Sequence, residues 1–190
     1  MAESGTLIDA FVDGLHDIYD AERQLVRALP KLIKAATNTR LRDAFEKHVK
    51  ETVEHAARLE HIFVSLDQTV RGSRCEGMAG IIEEAASIME DDFNEITMDA
   101  SLIGVARRVE HYEIAAYGTL TAWAEVMGRA EAARLLRETL EEEKRVCEVL
   151  SILAQGGIDY GAAHGFRRPS LDSEEVSVAV RTTRKAARRA

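Results

Sequence analysis

The sequence predicts an all-α protein, a four-helix bundle with one long crossover connection that contains a short extra helix. Three observations carry this. The 190-residue chain is rich in Ala, Leu, Glu and Arg and has only two prolines, a composition of good helix formers. Apolar residues recur at helical spacing from Leu7 to Ala154. No Asn-Gly or Asp-Gly pair marks a hairpin turn.

The first long helix is expected from Thr6 to the "AATN" segment, with Leu7, Phe11, Leu15, Ile18, Leu25 and Leu29 on one stripe and Pro30 within its last turns. The second runs from Thr39 into "IFVSL", with Leu41, Phe45, Leu59 and Ile62 aligned. The polar, Gly-containing stretch "DQTVRGSRCEG" then reads as a loop, and a shorter helix follows from Met78 to Asp91. A third long helix covers Asp99 to Met127 and stops at Gly128. The fourth runs from Ala130 to Gln155 and stops at Gly156-Gly157. Short links within each pair make helices one and two antiparallel, and likewise three and four, while the long middle segment returns the chain across the bundle. The predicted domain is 1–157. Residues 158–190, with weak periodicity and the basic end "RTTRKAARRA", are expected to form a mostly disordered tail.

Composition also bounds function. The net charge of -8 includes that basic end, so the body is more acidic still. This argues against broad nucleic-acid binding, outside the tail, and favours attracting cations. No apolar run approaches the roughly 18–20 residues of a membrane span, and the N-terminus lacks a basic segment followed by an apolar one. Two cysteines, Cys75 and Cys147, are too few for a disulfide framework, so a cytoplasmic location is expected.

Charged residues share the apolar stripes. Glu22 is in heptad step with Leu15, Ile18, Leu25 and Leu29. On the second helix His48, Thr52 and His55 lie on the apolar face, with Glu51 at its edge. On the third Glu113 is central and Glu110 flanks it. On the fourth Glu142 and Glu143 flank the stripe of Leu135, Val146, Leu150 and Leu153, with Thr139 inside it. One such glutamate alone is an ordinary edge residue whose long chain reaches solvent. Four inward glutamates in one core repel one another unless cations neutralise them. Two divalent ions balance four carboxylates, and oxygen donors with an occasional imidazole suit Fe or Mn. This is the di-metal carboxylate arrangement of ferritin-like bundles. A faint repeat between "KETVEH" and "RETLEE" pairs Glu51 with Glu138 and His55 with Glu142.

The segments "DIYDAERQLVRALPKLIKAA", "AFEKHVKETVEHAARLEHIF", "RVEHYEIAAYGTL" and "LLRETLEEEK" together resemble the YciE/YciF family of bacterial stress-response proteins, in the same order and across residues 6–155. The resemblance implies a ferritin-like, rubrerythrin-related bundle, a homodimer, and a di-metal site drawing on Glu22, Glu51, Glu110, Glu113 and Glu142 or Glu143. The chain departs from the Glu-x-x-His pattern of ferritin-like enzymes. Glu54 follows Glu51 at that spacing and His55 comes one residue later, while the fourth helix has no histidine. A nitrogen-poor site is therefore expected, holding two Fe or Mn ions mainly through oxygen.

His48 reads either as a donor orienting a ligand carboxylate or as a satisfied core residue. Tyr19 and Tyr117 are placed to approach the site or simply to bury their rings. The leading functional expectation is a cytosolic di-metal stress-response protein handling iron or peroxide. Its competitor is a non-catalytic helical dimer acting through protein contacts, with inner glutamates protonated or bridged by water.

Overall fold

A computed structural model describes residues 5–165. Among them α1 (Leu7–Ala35), α2 (Thr39–Ser65), α4 (Glu95–Val126) and α5 (Ala130–Leu153) are long, and α3 (Glu76–Glu90) is the extra helix of the crossover. A five-residue π-type turn, Ala154–Ile158, leads into α6 (Asp159–His164). The four long helices form a ring of contacts: α1 with α2 and α4, and α5 with α2 and α4.

Helix ends follow from local chemistry. The Asp9 carboxylate accepts from the Thr6 N–H at 2.9 Å, and so fills an orphan donor at the start of α1. Asn38 Oδ1 accepts from Leu41 N at 3.2 Å, and Asn94 Oδ1 from Ile96 N and Thr97 N at 3.1 and 3.0 Å. At the head of α4, Asp99 is buried and accepts from Thr37 N (2.7 Å), Thr37 Oγ1 (2.8 Å) and Asn38 N (2.9 Å). One carboxylate thereby fixes the α1–α2 turn against the third long helix.

The crossover does not wander. His16 Nδ1 donates to Arg71 O at 2.6 Å, and Cys75 N donates to Asp20 Oδ2 at 2.9 Å. The loop is thus pinned along α1, and α3 then runs back beside α1 and α4 to the Thr37 end of the bundle.

The core is split. At one end Phe11, Leu15, Ile18, Leu59, Ile62, Phe63 and Leu120 pack together, and at the other Leu32, Leu41, Phe45, Leu102, Val105 and Leu150. Glu22, His48, His55, Glu110, Glu113 and Glu143 lie between, each at most 2% exposed. A polar layer is held between two apolar ones.

The boundary expected at Gly157 is corrected for the described residues. Gly157 does break the helix, taking φ 137°, a conformation that a side chain resists. The chain then turns rather than leaves: Ile158 and Gly161 are buried, and α6 lies on α4. Burial of Ile158 supplies the apolar contact that the periodicity missed. The rest of the expected tail lies outside the described residues.

Candidate metal centre

All four long helices contribute to the polar layer, each at the level where its stripe passes between the two cores. Two groups of donors lie with their ligand atoms within 4.8 Å of one another: Glu22, His55 and Glu143 in one, and His48, Glu110, Glu113 and Glu143 in the other. Glu143 belongs to both. His55 Nδ1 is 2.8 Å from Glu143 Oε1 and 3.4 Å from Glu22 Oε1, and His48 Nε2 is 3.4 Å from Glu110 Oε1.

Of the seven residues expected from sequence, Glu22, His55, Glu110, Glu113 and Glu143 are brought together. Glu51 and Glu142 are not. Glu51 keeps 21% of its side chain exposed and pairs with Lys47 at 2.7 Å, since the edge of the α2 stripe faces the rim. Glu142 stands one layer out: its Oε2 lies 3.0 Å from His55 Nε2, and Arg58 clamps it from the solvent side. That answers which of the neighbouring glutamates enters the cluster. The helical step of about 100° turns Glu143 inward and leaves Glu142 behind the imidazole.

The nitrogen-poor expectation is also corrected. His48 is not merely a core residue with satisfied nitrogens: neither ring nitrogen has a hydrogen-bond partner, and it stands in the second group. The signal was present, because His48 and His55 are seven residues apart and so share one face of α2. Arg58, which seals the site beside Glu142, was missed; it sits three residues past His55 on the same flank. Tyr117 meets the cluster, donating to Glu22 Oε1 at 2.5 Å, whereas Tyr19 points away and donates to Glu60 at 2.7 Å.

Burial dominates the electrostatics. It raises Glu110 and Glu113 well above the usual carboxylate range, and the negative charge of Glu143 adds to the shift in both. Burial also raises Glu22, although His55 works against it, and lowers His48. For His55 burial pulls downward, but the nearby carboxylates of Glu143 and Glu22 outweigh it and carry the imidazole up to about 10. For Glu143 burial pulls upward, and His55 and His48 overcome it, so that its carboxyl falls below the ordinary range. Without metal, burial disfavours charge on Glu110 and Glu113, while the carboxylates beside His55 favour its charged form.

That compensation leaves atoms without partners. Both oxygens of Glu113 and Oε2 of Glu22, Glu110 and Glu143 are buried with no hydrogen bond. Buried polar atoms are normally paired, and a cluster of exceptions calls for an ion or water. The donor set is hard oxygen plus two imidazoles, which suits Fe or Mn. The residues therefore fit a pair of such ions. The position of Glu142 fits as well, since a carboxylate on the far nitrogen of a histidine fixes its tautomer and presents the near nitrogen to a metal.

Residues 6–163 match the family described as a domain of unknown function, DUF892. The chain belongs to that family. It is 43% identical over 155 residues to Protein YciF of Escherichia coli K12, spanning 81% of this chain and 93% of that one. It also superposes on the crystal structure of that E. coli stress protein with a TM-score of 0.78, covering 80% and 96% of the two chains. The YcfI protein of Rhodopseudomonas palustris is 39% identical, with a TM-score of 0.76 over 80% and 97%. A protein from Xanthomonas campestris, 22% identical, shares the fold with a TM-score of 0.68 over 84% and 97%. Membership in the YciF-like stress proteins thus agrees with the four segments read from sequence. Among the described residues no helix is long and apolar enough to cross a membrane.

Proposed function

We propose that this protein is a cytoplasmic di-metal carboxylate protein of stress response that handles iron or peroxide. The observation that carries the reading is the set of buried, unpartnered carboxylate oxygens shared by two donor groups through Glu143. Glu22, His55 and Glu143 would hold one ion, and His48, Glu110, Glu113 and Glu143 the other. When bound, two Fe or Mn ions would supply one-electron redox chemistry toward peroxide or dioxygen. The chain's own residues set the conditions. Tyr117 fixes one oxygen of Glu22, Glu142 orients His55, and Arg58 holds Glu142 in place. The two apolar layers keep bulk water away, so charge within the polar layer is weakly screened.

A competing reading has one observation in its favour. His55, held protonated, neutralises part of the cluster without metal, as expected for a non-catalytic dimer acting through protein contacts. Anaerobic titration with Fe(II) and with Mn(II), read by calorimetry on chelator-stripped protein, separates the two. Close to two ions per chain supports the di-metal reading. Saturation well under one ion per chain with both metals overturns it. The homodimer itself is tested by sedimentation.

A further inference from the structure

A cavity of about 30 Å³ lies between α1, α3 and α4. Exposed Lys31 stands at its outer edge, Leu29, Ile81, Ala106 and Val109 form its wall, and Glu110 closes it on the inside. The same Glu110 belongs to the second donor group and is 1% exposed. A cavity wall and the polar layer thus share a carboxylate.

We propose that this cavity is a binding site for dioxygen, seated beside Glu110; its bearing on chemistry rests on the di-metal reading. Volume sets the first limit. Room on this scale admits one or two water-sized molecules and excludes organic substrates. Polarity sets the second. A buried water needs two to four polar partners, and peroxide has similar needs, yet between the mouth and Glu110 the wall is aliphatic. Dioxygen is small and apolar, so it enters such a wall without losing hydrogen bonds. The position of α3 gives the third argument. This helix of the crossover supplies Ile81 and Ala85 to the wall, and it thereby turns the outer face of the α1–α4 pair into an apolar cleft.

The test is methyl relaxation by NMR on full-length, metal-stripped protein under dissolved dioxygen, whose paramagnetism marks the methyls that it touches. The methyls of Leu29, Leu32 and Val105 should relax several-fold more strongly than those of Leu59 and Leu120, which are buried to a similar degree away from the cavity. Ala106→Leu, with Ala85→Leu as a second filling variant, should abolish the difference. Uniform enhancement in the wild-type chain overturns the proposal, as does an enhancement that survives in a folded filled variant. Calorimetric titration with Mn(II) is run in parallel. Failure to bind Mn(II) with the dioxygen signal intact counts against the di-metal reading alone. Normal Mn(II) binding with no dioxygen signal counts against the cavity alone.

Discussion

Replacing Glu113 by Gln should change how the stability of the metal-free protein depends on pH. Burial, followed by the charges of Glu143 and Glu22, holds the Glu113 carboxyl well above its ordinary value of 4.5. As pH rises past 4.5 the unfolded chain releases this proton and the folded chain keeps it. The native state then binds more protons, so stability falls with rising pH, by about 1.4 kcal/mol per pH unit for each such group. Glu110 behaves in the same way, held up by burial and by the charge of Glu143. The wild-type slope from these two groups is therefore about 3 kcal/mol per pH unit, and Glu113→Gln should bring it to about 1.4. For a chain of this size that difference is roughly 3–6 °C of melting temperature per pH unit. The useful window lies between the ordinary carboxylate value of 4.5 and the ordinary histidine value of 6.5. Above 6.5 the raised His55 adds its own loss: its stabilisation is complete below 6.5 and disappears as pH climbs through about 10. Differential scanning calorimetry of stripped protein across the window reads the slope directly. A slope is a better measure than a single melting point, because the buried amide carries its own desolvation cost of about 1–3 kcal/mol. With Mn(II) at about a hundred times its Kd, the wild-type protein should gain about 2.7 kcal/mol and the variant clearly less. Parallel pH slopes for the two proteins would refute the reasoning, for they would mean that Glu113 ionises in the folded state as it does in water.

The two glutamates that the structure sets apart from the cluster should differ from each other. Glu142→Gln loosens His55 and should weaken Mn(II) binding by roughly 10–100-fold at unchanged stoichiometry, whereas Glu51→Gln, at the rim, should leave the affinity nearly unchanged; calorimetry measures both. Asp99→Ala strips the acceptor from two backbone N–H groups and one hydroxyl, and it should cost roughly 3 kcal/mol in a urea titration. Ile158→Ala tests whether the chain beyond Gly157 belongs to the body. A loss of roughly 2 kcal/mol is expected from its burial, and no loss would restore the boundary at Gly157.

Much of the architecture was legible because it rests on periodicity. The apolar stripes around Phe11, Leu25, Phe45 and Leu150 repeat at helical spacing, and glycines and polar stretches mark the breaks, so the helix count and the crossover could be read directly. The four to six aligned apolar positions on each of α1, α2 and α5 outvote any local ambiguity. The end of α5 was harder. Gly157 correctly marks a break, but a glycine at positive φ redirects a chain as readily as it ends a helix, and the single buried Ile158 is too little to register as a pattern.

The same contrast runs through the candidate centre. By itself the sequence determined that each long helix turns charged residues toward the core, because position along a helix fixes angle to within about 100° per residue. That was enough to select Glu22, Glu110 and Glu113. What it could not determine was depth and pairing. Glu142 and Glu143 are adjacent and both flank the stripe; only the placement of α2 opposite α5 put Glu143 between the two histidines and Glu142 behind one of them. His48 looked like a core histidine until α4 brought Glu110 to within 3.4 Å. Periodicity records which way a side chain leaves its own helix, whereas a donor cluster is defined by distances between helices, and those are set by how the two apolar layers pack.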